Sequence, residues 1–387
     1  MGADHRPPDN DRELGDKVFR FIHTADWQLG KPFAWAEAEV RSALTDARFD
    51  AIDTIGQIAS EHSVTHIFVA GDVFDTEGPD PRTIVQALSR MERHPCKWWL
   101  LPGNHDFVRA GGLWDRIEAR LPGNVSLIPE AQPCELVDGV WLLPAPLVQR
   151  HQNDDPTESF DTMETPGAIL RIGLAHGSIV DFGAQGETKN QIAPDRAARS
   201  GLDYLALGDW HGLLKVNSRT WYSGTPEVDR FQRDEPGKAL LVELEQGGEP
   251  IVTEFRTGKY QWLKRDWRVD DFAGFEAERA QLLDECDPAT TLVRMTLAGI
   301  TTLTDRVAML SALEDDLAHR FRYFSYSATD LVAKPSDDDL SAFSAEGILG
   351  AAASTLNTRV QEAGSESLIA RRALERLFVE HAKVIGS

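Results

Sequence analysis

Lys97-Trp98-Trp99-Leu100-Leu101-Pro102-Gly103-Asn104-His105-Asp106 is an apolar run that ends at a proline and a glycine, then presents an amide, an imidazole and a carboxylate in succession. Residues 97–101 have the length and composition of a buried strand, and Pro102-Gly103 stops it. The same arrangement recurs on both sides. Residues 18–23 run into Asp26 and Gln28, 65–70 into Gly71-Asp72 and Asp75, 170–175 into His176-Gly177, and 204–207 into Gly208-Asp209-Trp210-His211. Between the first two strands, Val40, Leu44, Ala47, Ala51, Ile55 and Ile58 fall at alternating steps of four and three, which predicts an amphipathic helix. A shorter helix is predicted after Pro81, with Ile84, Val85, Leu88 and Met91 on its apolar side. Strand–helix alternation of this kind predicts an α/β domain with its strands in a layered core.

Beyond about Gly224 the pattern changes. Residues 239–245 and 250–255, joined by Gln246-Gly247-Gly248, read as a hairpin closing the first domain. From 260 to 333 the order is strand, helix (273–286), strand (291–297), helix (304–319), strand, a small α+β unit. Pro335 and Ser336-Asp337-Asp338-Asp339 read as a linker or helix start. A terminal helix is predicted from Ser367, with Ile369, Ala373 and Leu377 as its apolar face and Leu374 and Phe378 beside them. The expected division is a disordered polar arm over 1–17, a main domain over 18–257, the small unit over 258–333 and a helical segment over 334–387.

Composition narrows the function. The 387 residues carry 40 basic and 62 acidic side chains, a net charge of −22. So acidic a surface argues against coating nucleic acid or anionic membrane electrostatically, while leaving room for a local phosphate site organised by cations. Cys96, Cys134 and Cys286 are odd in number and scattered, which fits reduced thiols. The N-terminus lacks an apolar signal region, and no run approaches the roughly 20 apolar residues that span a bilayer. The expectation is a soluble cytoplasmic protein with no membrane partner.

The polar residues at the strand ends carry the chemistry. Asp26 with Gln28, Asp72 with Asp75, Asn104 with His105 and Asp106, His176, and Asp209 with His211 are all ligand types placed just past apolar strands. Ligands bind outside the carboxyl ends of strands in α/β sheets. A set of carboxylates, imidazoles and amide oxygens without thiolates suits Mn²⁺, Fe²⁺ or Zn²⁺. The set is larger than one ion takes from protein, which favours two ions sharing a carboxylate. Each motif alone has a bland reading as turn chemistry or a satisfied buried histidine; the ordered set does not.

That order resembles the calcineurin-like metallophosphoesterases. Within them, Phe21-Ile22-His23-Thr24-Ala25-Asp26-Trp27-Gln28-Leu29-Gly30, Gly71-Asp72-Val73-Phe74-Asp75, Leu101-Pro102-Gly103-Asn104-His105-Asp106 and Tyr222-Ser223-Gly224-Thr225-Pro226-Glu227 resemble the SbcD-type DNA-repair exonucleases. The motifs cover residues 18–257. The resemblance implies an α/β fold, a β-sandwich flanked by helices, followed by a small α+β cap domain and a helical tail. It implies that Asp26, Gln28 and His211 bind one divalent ion, that Asn104, His176 and Asp209 bind a second, and that Asp72 bridges them. Mn²⁺ is the expected metal, with Fe²⁺, Zn²⁺ or Mg²⁺ as alternatives. His105 is then the general acid or transition-state stabiliser, Asp106 orients it, and Asp75 supports the site from behind.

Two positions depart from the pattern. Gln28 stands where the family has a histidine, and Asp209 where it has the first histidine of Gly-His-x-His, so each half of the site lacks an imidazole. The implied substrate is DNA, with Lys31, Arg109, Lys215 and Arg219 as candidate phosphate contacts, Trp27 and Phe33 as candidate base-stacking residues, and Trp210 as a pocket wall. Surface charge and plain packing are the competing readings of these residues. The terminal helix either docks on its own domain or dimerises, or it attaches an SMC-like coiled-coil ATPase as the resemblance implies. The competing functions are a small-molecule phosphodiesterase or phosphatase, and a weakly active scaffold binding DNA ends or an ATPase.

Overall fold

Strands 66–70 and 97–101 are apolar at nearly every position because both faces of their sheet are covered. The computed structural model describes residues 18–179, 189–231, 234–334, 347–362 and 365–385; the predicted arm over 1–17 and the predicted linker at 335–339 lie outside them. Described residues up to Asp229, with Pro236–Tyr260, form one compact unit; those of 230–235 and from Gln261 onward form a second.

In the first unit the strands are β1 (Phe19–Thr24), β2 (His66–Ala70), β3 (Lys97–Leu101), β4 (Val125–Leu127), β5 (Cys134–Val137), β6 (Val140–Ala145), β7 (Leu170–His176), β8 (Ser178–Ile179), β9 (Gln191–Ile192), β10 (Tyr204–Gly208), β11 (Leu214–Lys215), β12 (Thr220–Tyr222), β13 (Lys238–Leu244) and β14 (Ile251–Arg256). They build two six-stranded sheets, ordered β14-β13-β1-β2-β3-β4 and β11-β12-β10-β7-β6-β5, with β8 and β9 as a separate pair. β1 to β4 pair in parallel, as do β6, β7, β10 and β12. The predicted hairpin is β13–β14, and β13 lies antiparallel beside β1, Phe19 opposite Leu244 and His23 opposite Leu240.

Successive side chains go to different layers. Phe21, Phe68 and Leu101 meet Leu142, Ile172, Leu174, Tyr204 and Ala206 between the sheets. Ile22, Ile67, Val69, Trp98 and Leu100 face outward against helices α1 (Ala38–Glu61) and α2 (Pro81–Glu92). Leu143, Ala175, Leu205 and Leu207 cover the far side of the second sheet. This is the expected β-sandwich flanked by helices. Helix α1 buries Leu44, Ala47, Ala51, Ile55 and Ile58 as its periodicity predicts. In α2, which starts at Pro81 behind an Asp80 cap whose side chain accepts the Arg82 N–H, Ile84, Leu88 and Met91 are buried while Val85 is 58 % exposed. The three buried positions fill that helix's apolar arc and Val85 falls outside it.

The second unit alternates β15 (Gln261–Arg268), α3 (Phe272–Glu285), β16 (Thr291–Thr301), α4 (Leu303–Ser311) and β17 (Tyr323–Ala333). The element order is as expected. Both strand pairs are parallel, so the helices are crossovers rather than a segregated layer as α+β implies. Helices α5 (Ile348–Val360) and α6 (Ser365–Ile385) follow. Leu374 and Phe378 of α6 pack with Leu303, Ala333 and Ala353, and Arg306 pairs with Glu375 at 3.2 Å, so the terminal helix docks on its own unit. Its buried line is Ala370, Leu374 and Phe378; Ile369 and Ala373, predicted as the apolar face, are exposed. The two candidate stripes lie side by side on the helix, and the large Phe378 and Leu374 decide which one faces inward.

Candidate metal centre

Parallel pairing places the ends of β1, β2 and β3 together in one sheet and those of β7 and β10 together in the other. The chain turns sharply at each end. Asp26, Gln28, Asp72 and Asp209 all have left-handed backbone conformations, with φ of 55°, 43°, 54° and 98°. Such conformations cost about 1–3 kcal/mol each away from glycine and cluster where side-chain direction matters to function. Two glycines make room. A Cβ on Gly103 would lie 2.2 Å from Asp72 Oδ1, and one on Gly71 would lie 2.2 Å from His176 Nδ1.

Ligand atoms of Asp26, Asp72 and His176 lie within 4.8 Å of one another, and all three residues are buried. His176 Nε2 is 3.6 Å from Asp72 Oδ1 and 3.7 Å from Asp209 Oδ1. Its Nδ1–H donates to the Ala70 carbonyl at 2.9 Å, which turns Nε2 inward as the lone-pair atom. Asn104 Nδ2 approaches Asp209 Oδ1 at 3.5 Å, and the Asp209 N–H donates to both Asp26 oxygens at 3.1 and 3.2 Å. The structure thus gathers Asp26, Asp72, Asn104, His176 and Asp209 around one point.

Two observations test whether this set fits a divalent ion. His176 Nε2 and Asn104 Oδ1 are buried and have no hydrogen-bond partner among the described residues, although each is a lone-pair donor for a metal. The charges point the same way. Burial pushes the Asp26 carboxyl up to about 6; His211 and His176 oppose the rise, and Asp72 and Asp209 add to it. Burial pulls the His176 imidazole down, but Asp72, Asp26 and Asp209 outweigh it and raise it to about 9. Crowded carboxylates make positive charge favourable at this point, and an oxygen- and imidazole-lined pocket suits an Mn²⁺-like ion.

Gln28 and His211 sit beside this cluster with their ligand atoms engaged. Gln28 Oε1 accepts from Lys31 Nζ at 2.7 Å, and Gln28 Nε2 lies 3.2 Å from His211 Nε2. His211 Nδ1 lies 3.2 Å from Asp229 Oδ2, which also accepts from Lys31 Nζ at 2.7 Å. As placed, this half does not fit a second ion. Asp229 itself is invisible in the sequence because it belongs to no motif, and neither does Arg48, whose guanidinium lies 3.8 Å from it. Burial alone would raise the Asp229 carboxyl, but the His211 hydrogen bond and the charges of His211, Arg48 and Lys31 hold it well below the usual range.

His105 is partly exposed at the rim. Its Nδ1–H donates to the Asp75 carbonyl at 2.7 Å, so Nε2 is the atom that exchanges protons with the site, and it lies 3.9 Å from Asp72 Oδ2. Orientation therefore comes from the Asp75 backbone. Asp106, expected to orient His105, is fully buried and accepts the Gly103 N–H at 2.7 Å and the Phe74 N–H at 3.1 Å. It fastens the loop after β3 to the loop after β2. Burial and the Asp72 charge push its carboxyl up to about 7 against those two hydrogen bonds and the opposing charge of His176.

Other candidates resolve differently. Trp27 and Phe33 are 1 % and 3 % exposed; Trp27 donates to Thr24 Oγ1 and packs edge-on to Trp98, so neither offers a face to a base. Trp210 is exposed. Arg109 pairs with Glu77 at 2.6 Å, Lys215 lies over Trp221, and Arg219 donates to the Leu202 carbonyl. Cys96, Cys134 and Cys286 are free thiols.

The profile for "Calcineurin-like phosphoesterase" matches residues 19–242, the stretch that supplies every one of these ligand positions. The chain belongs to that family. It is similar to the "DNA double-strand break repair protein Mre11" of Methanosarcina acetivorans, 23% identical over 255 residues, covering 62% of this chain and 39% of that protein. It is also similar to the SbcD component of the nuclease SbcCD, 37% identical over 93 residues in Escherichia coli K12 and 34% identical over 93 residues in Bacillus subtilis 168. Those matches cover 23% and 22% of this chain and 22% of each relative, so the phosphoesterase chain spans well under half the length of these proteins. They support the SbcD-type resemblance at modest identity. No helix among the described residues is long and apolar enough to cross a membrane.

Proposed function

We propose that the chain is a divalent-metal-dependent phosphodiesterase that hydrolyses DNA, in repair or defence. The observation that carries this is the pair of buried, unpartnered ligand atoms, His176 Nε2 and Asn104 Oδ1, aimed at the Asp26, Asp72 and Asp209 carboxylates. Membership of the phosphoesterase family and similarity to proteins named as a nuclease and a DNA break-repair protein support the substrate class.

Asp26, Asp72, Asn104, His176 and Asp209 would hold the ion, with Mn²⁺ suiting the donor set. When bound, the ion supplies charge neutralisation at the scissile phosphate and lowers the pKa of water beside it. His105, its Nδ1–H fixed on Asp75, presents Nε2 to protonate the leaving oxygen. Asp72 acts on both groups: its Oδ1 accepts the His105 N–H at 2.9 Å, while its carboxylate faces the cluster. Asp106 keeps the two loops in register. With a net charge of −22, DNA capture depends on the ion and on local geometry instead of a basic surface.

Similarity to a protein named as one component of SbcCD supports an SMC-like coiled-coil ATPase as partner. Helices α5 and α6 keep Ile348, Leu368 and Ile369 exposed for such a contact.

The test is purified chain with Mn²⁺, given linear double- and single-stranded DNA and bis-p-nitrophenyl phosphate. DNA should be degraded, and His105→Ala should reduce the rate by roughly 10²–10⁴-fold. Activity on the small ester alone would replace DNA with a small-molecule substrate. Inactivity with every divalent metal would leave a scaffold that uses the fold to bind DNA ends or an ATPase.

A further inference from the structure

The hydrogen bonds around Gln28 close into a ring whose polarity is fixed throughout. An ammonium has no acceptor, so the Gln28 amide must turn Oε1 toward Lys31 Nζ, 2.7 Å away. Its NH₂ then faces His211 Nε2 at 3.2 Å, which must be the accepting nitrogen. The proton of that imidazole is therefore on Nδ1, where it donates to Asp229 Oδ2 at 3.2 Å. Asp229 returns to Lys31 at 2.7 Å and closes the circuit. Both atoms that could hold an ion on this side, Gln28 Oε1 and His211 Nε2, already accept hydrogen bonds. An ion there would have to break both and stand next to an ammonium.

The surroundings hold Lys31 in place. Asp229 is 5 % exposed and lies beside buried Arg48, and Asp75 Oδ1 is 4.0 Å from Lys31 Nζ on the other side. Two of the three ammonium N–H groups are engaged by Gln28 and Asp229, which leaves a third for a phosphate oxygen. Asp26 would have been the carboxylate of this half, but its ligand atom groups with Asp72 and His176.

We propose that Lys31 is a built-in cation standing in for one of two metal ions: the chain binds a single divalent ion at Asp26, Asp72, Asn104, His176 and Asp209, and the Lys31 ammonium supplies the other positive charge to the scissile phosphate. This rests on the metallophosphoesterase reading above. It also explains the glutamine at position 28. A histidine there could not accept from Lys31 and at the same time donate to His211 Nε2 through one group of the same reach. Glutamine, with acceptor and donor on one planar head, links the two.

The test counts ions. The full chain is titrated with Mn²⁺, and bound metal is measured by equilibrium dialysis with elemental analysis and by low-temperature EPR. One tight ion per chain, with the six-line spectrum of isolated Mn²⁺, is expected. The double variant Gln28→His with Lys31→Met, checked for folding by circular dichroism, should take a second ion and show an exchange-coupled spectrum. Two tight ions in the wild type overturn the inference while leaving the phosphoesterase reading intact. A folded double variant that still binds one ion overturns it as well, because the ammonium is then not what excludes the second. If the wild type binds no ion tightly, the metallophosphoesterase reading fails and this inference fails with it.

Discussion

Asp106→Asn separates two ways in which a buried carboxylate can serve a catalytic histidine. The carboxylate accepts one backbone N–H on each oxygen, Gly103 at 2.7 Å and Phe74 at 3.1 Å, and is inaccessible to solvent. Asparagine keeps one acceptor and must point its NH₂ at the other N–H. One hydrogen bond to a charged group is lost, about 1.5–3 kcal/mol, and a buried donor is left facing a donor, a further 1–3 kcal/mol or so. The sum is on the order of 3 kcal/mol, discounted for relaxation and for the raised carboxyl, which ionises less readily than an ordinary aspartate. Because Asp106 joins the loops carrying Asp72 and His105, the same loss should displace both, lowering kcat through geometry. Urea unfolding should show the midpoint falling with an unchanged m-value, and the pH–rate profile should keep its shape at a lower plateau. If stability changes by less than about 0.5 kcal/mol while the histidine limb of the profile moves, Asp106 acts on His105 directly and the loop-fastening account is wrong.

Two further predictions concern the frame of the molecule. His66 is buried, and its Nδ1 accepts the Trp99 indole N–H at 3.0 Å; burial, reinforced by Lys97, pulls the imidazole down to about 4. A histidine with a lowered folded pKa stabilises above its unfolded value near 6.5 and loses that stability as pH falls toward about 4, so unfolding free energy should drop by about 2 kcal/mol between pH 7 and pH 5. His66→Gln should flatten that part of the stability–pH curve, and an unchanged slope would place the titration elsewhere. In the terminal helix, Leu374→Ala should cost roughly 3 kcal/mol of second-unit stability by thermal unfolding, and Ile369→Ala less than about 0.5 kcal/mol, because Leu374 is 1 % exposed and Ile369 is 67 % exposed. Equal effects would mean that the helix docks through the other stripe.

What the sequence reveals, and what it conceals, follows from the range of the interactions. Motif residues are legible because each follows its own strand locally, and parallel pairing then brings the strand ends together without further information. Asp26, Asp72, Asn104, His176 and Asp209 converge for that reason. The role of Asp106 is not legible, since its partners are the N–H groups of Gly103 and of Phe74, the latter in a different loop. Lys31 reads as a surface contact for phosphate because nothing near it in the chain shows that Asp229, 198 positions away, would hold it. Trp27 and Phe33 mislead through their neighbourhood. Aromatic residues flanking a polar motif look available to a ligand, yet the left-handed turns at Asp26 and Gln28 aim the polar groups into the site while Trp27 goes into the layer beneath α1. Choosing between adjacent stripes on the terminal helix requires knowing which hydrophobic surface lies opposite.

The pairing of β13 with β1 also sets the order of events when the chain is made. Arg20 and Glu243 are 223 positions apart yet adjacent in the sheet. During synthesis, β1 has β2 on one side long before its other edge is covered. The strand that delivers Asp26 therefore keeps an open hydrogen-bonding edge until almost the whole first unit has emerged from the ribosome. Such long-range closure slows folding and leaves an unpaired edge exposed to other nascent chains. It also acts as a checkpoint: an acidic pocket able to take up metal is completed only when the sheet around it is closed, so incomplete chains are poorly placed to carry a nuclease centre.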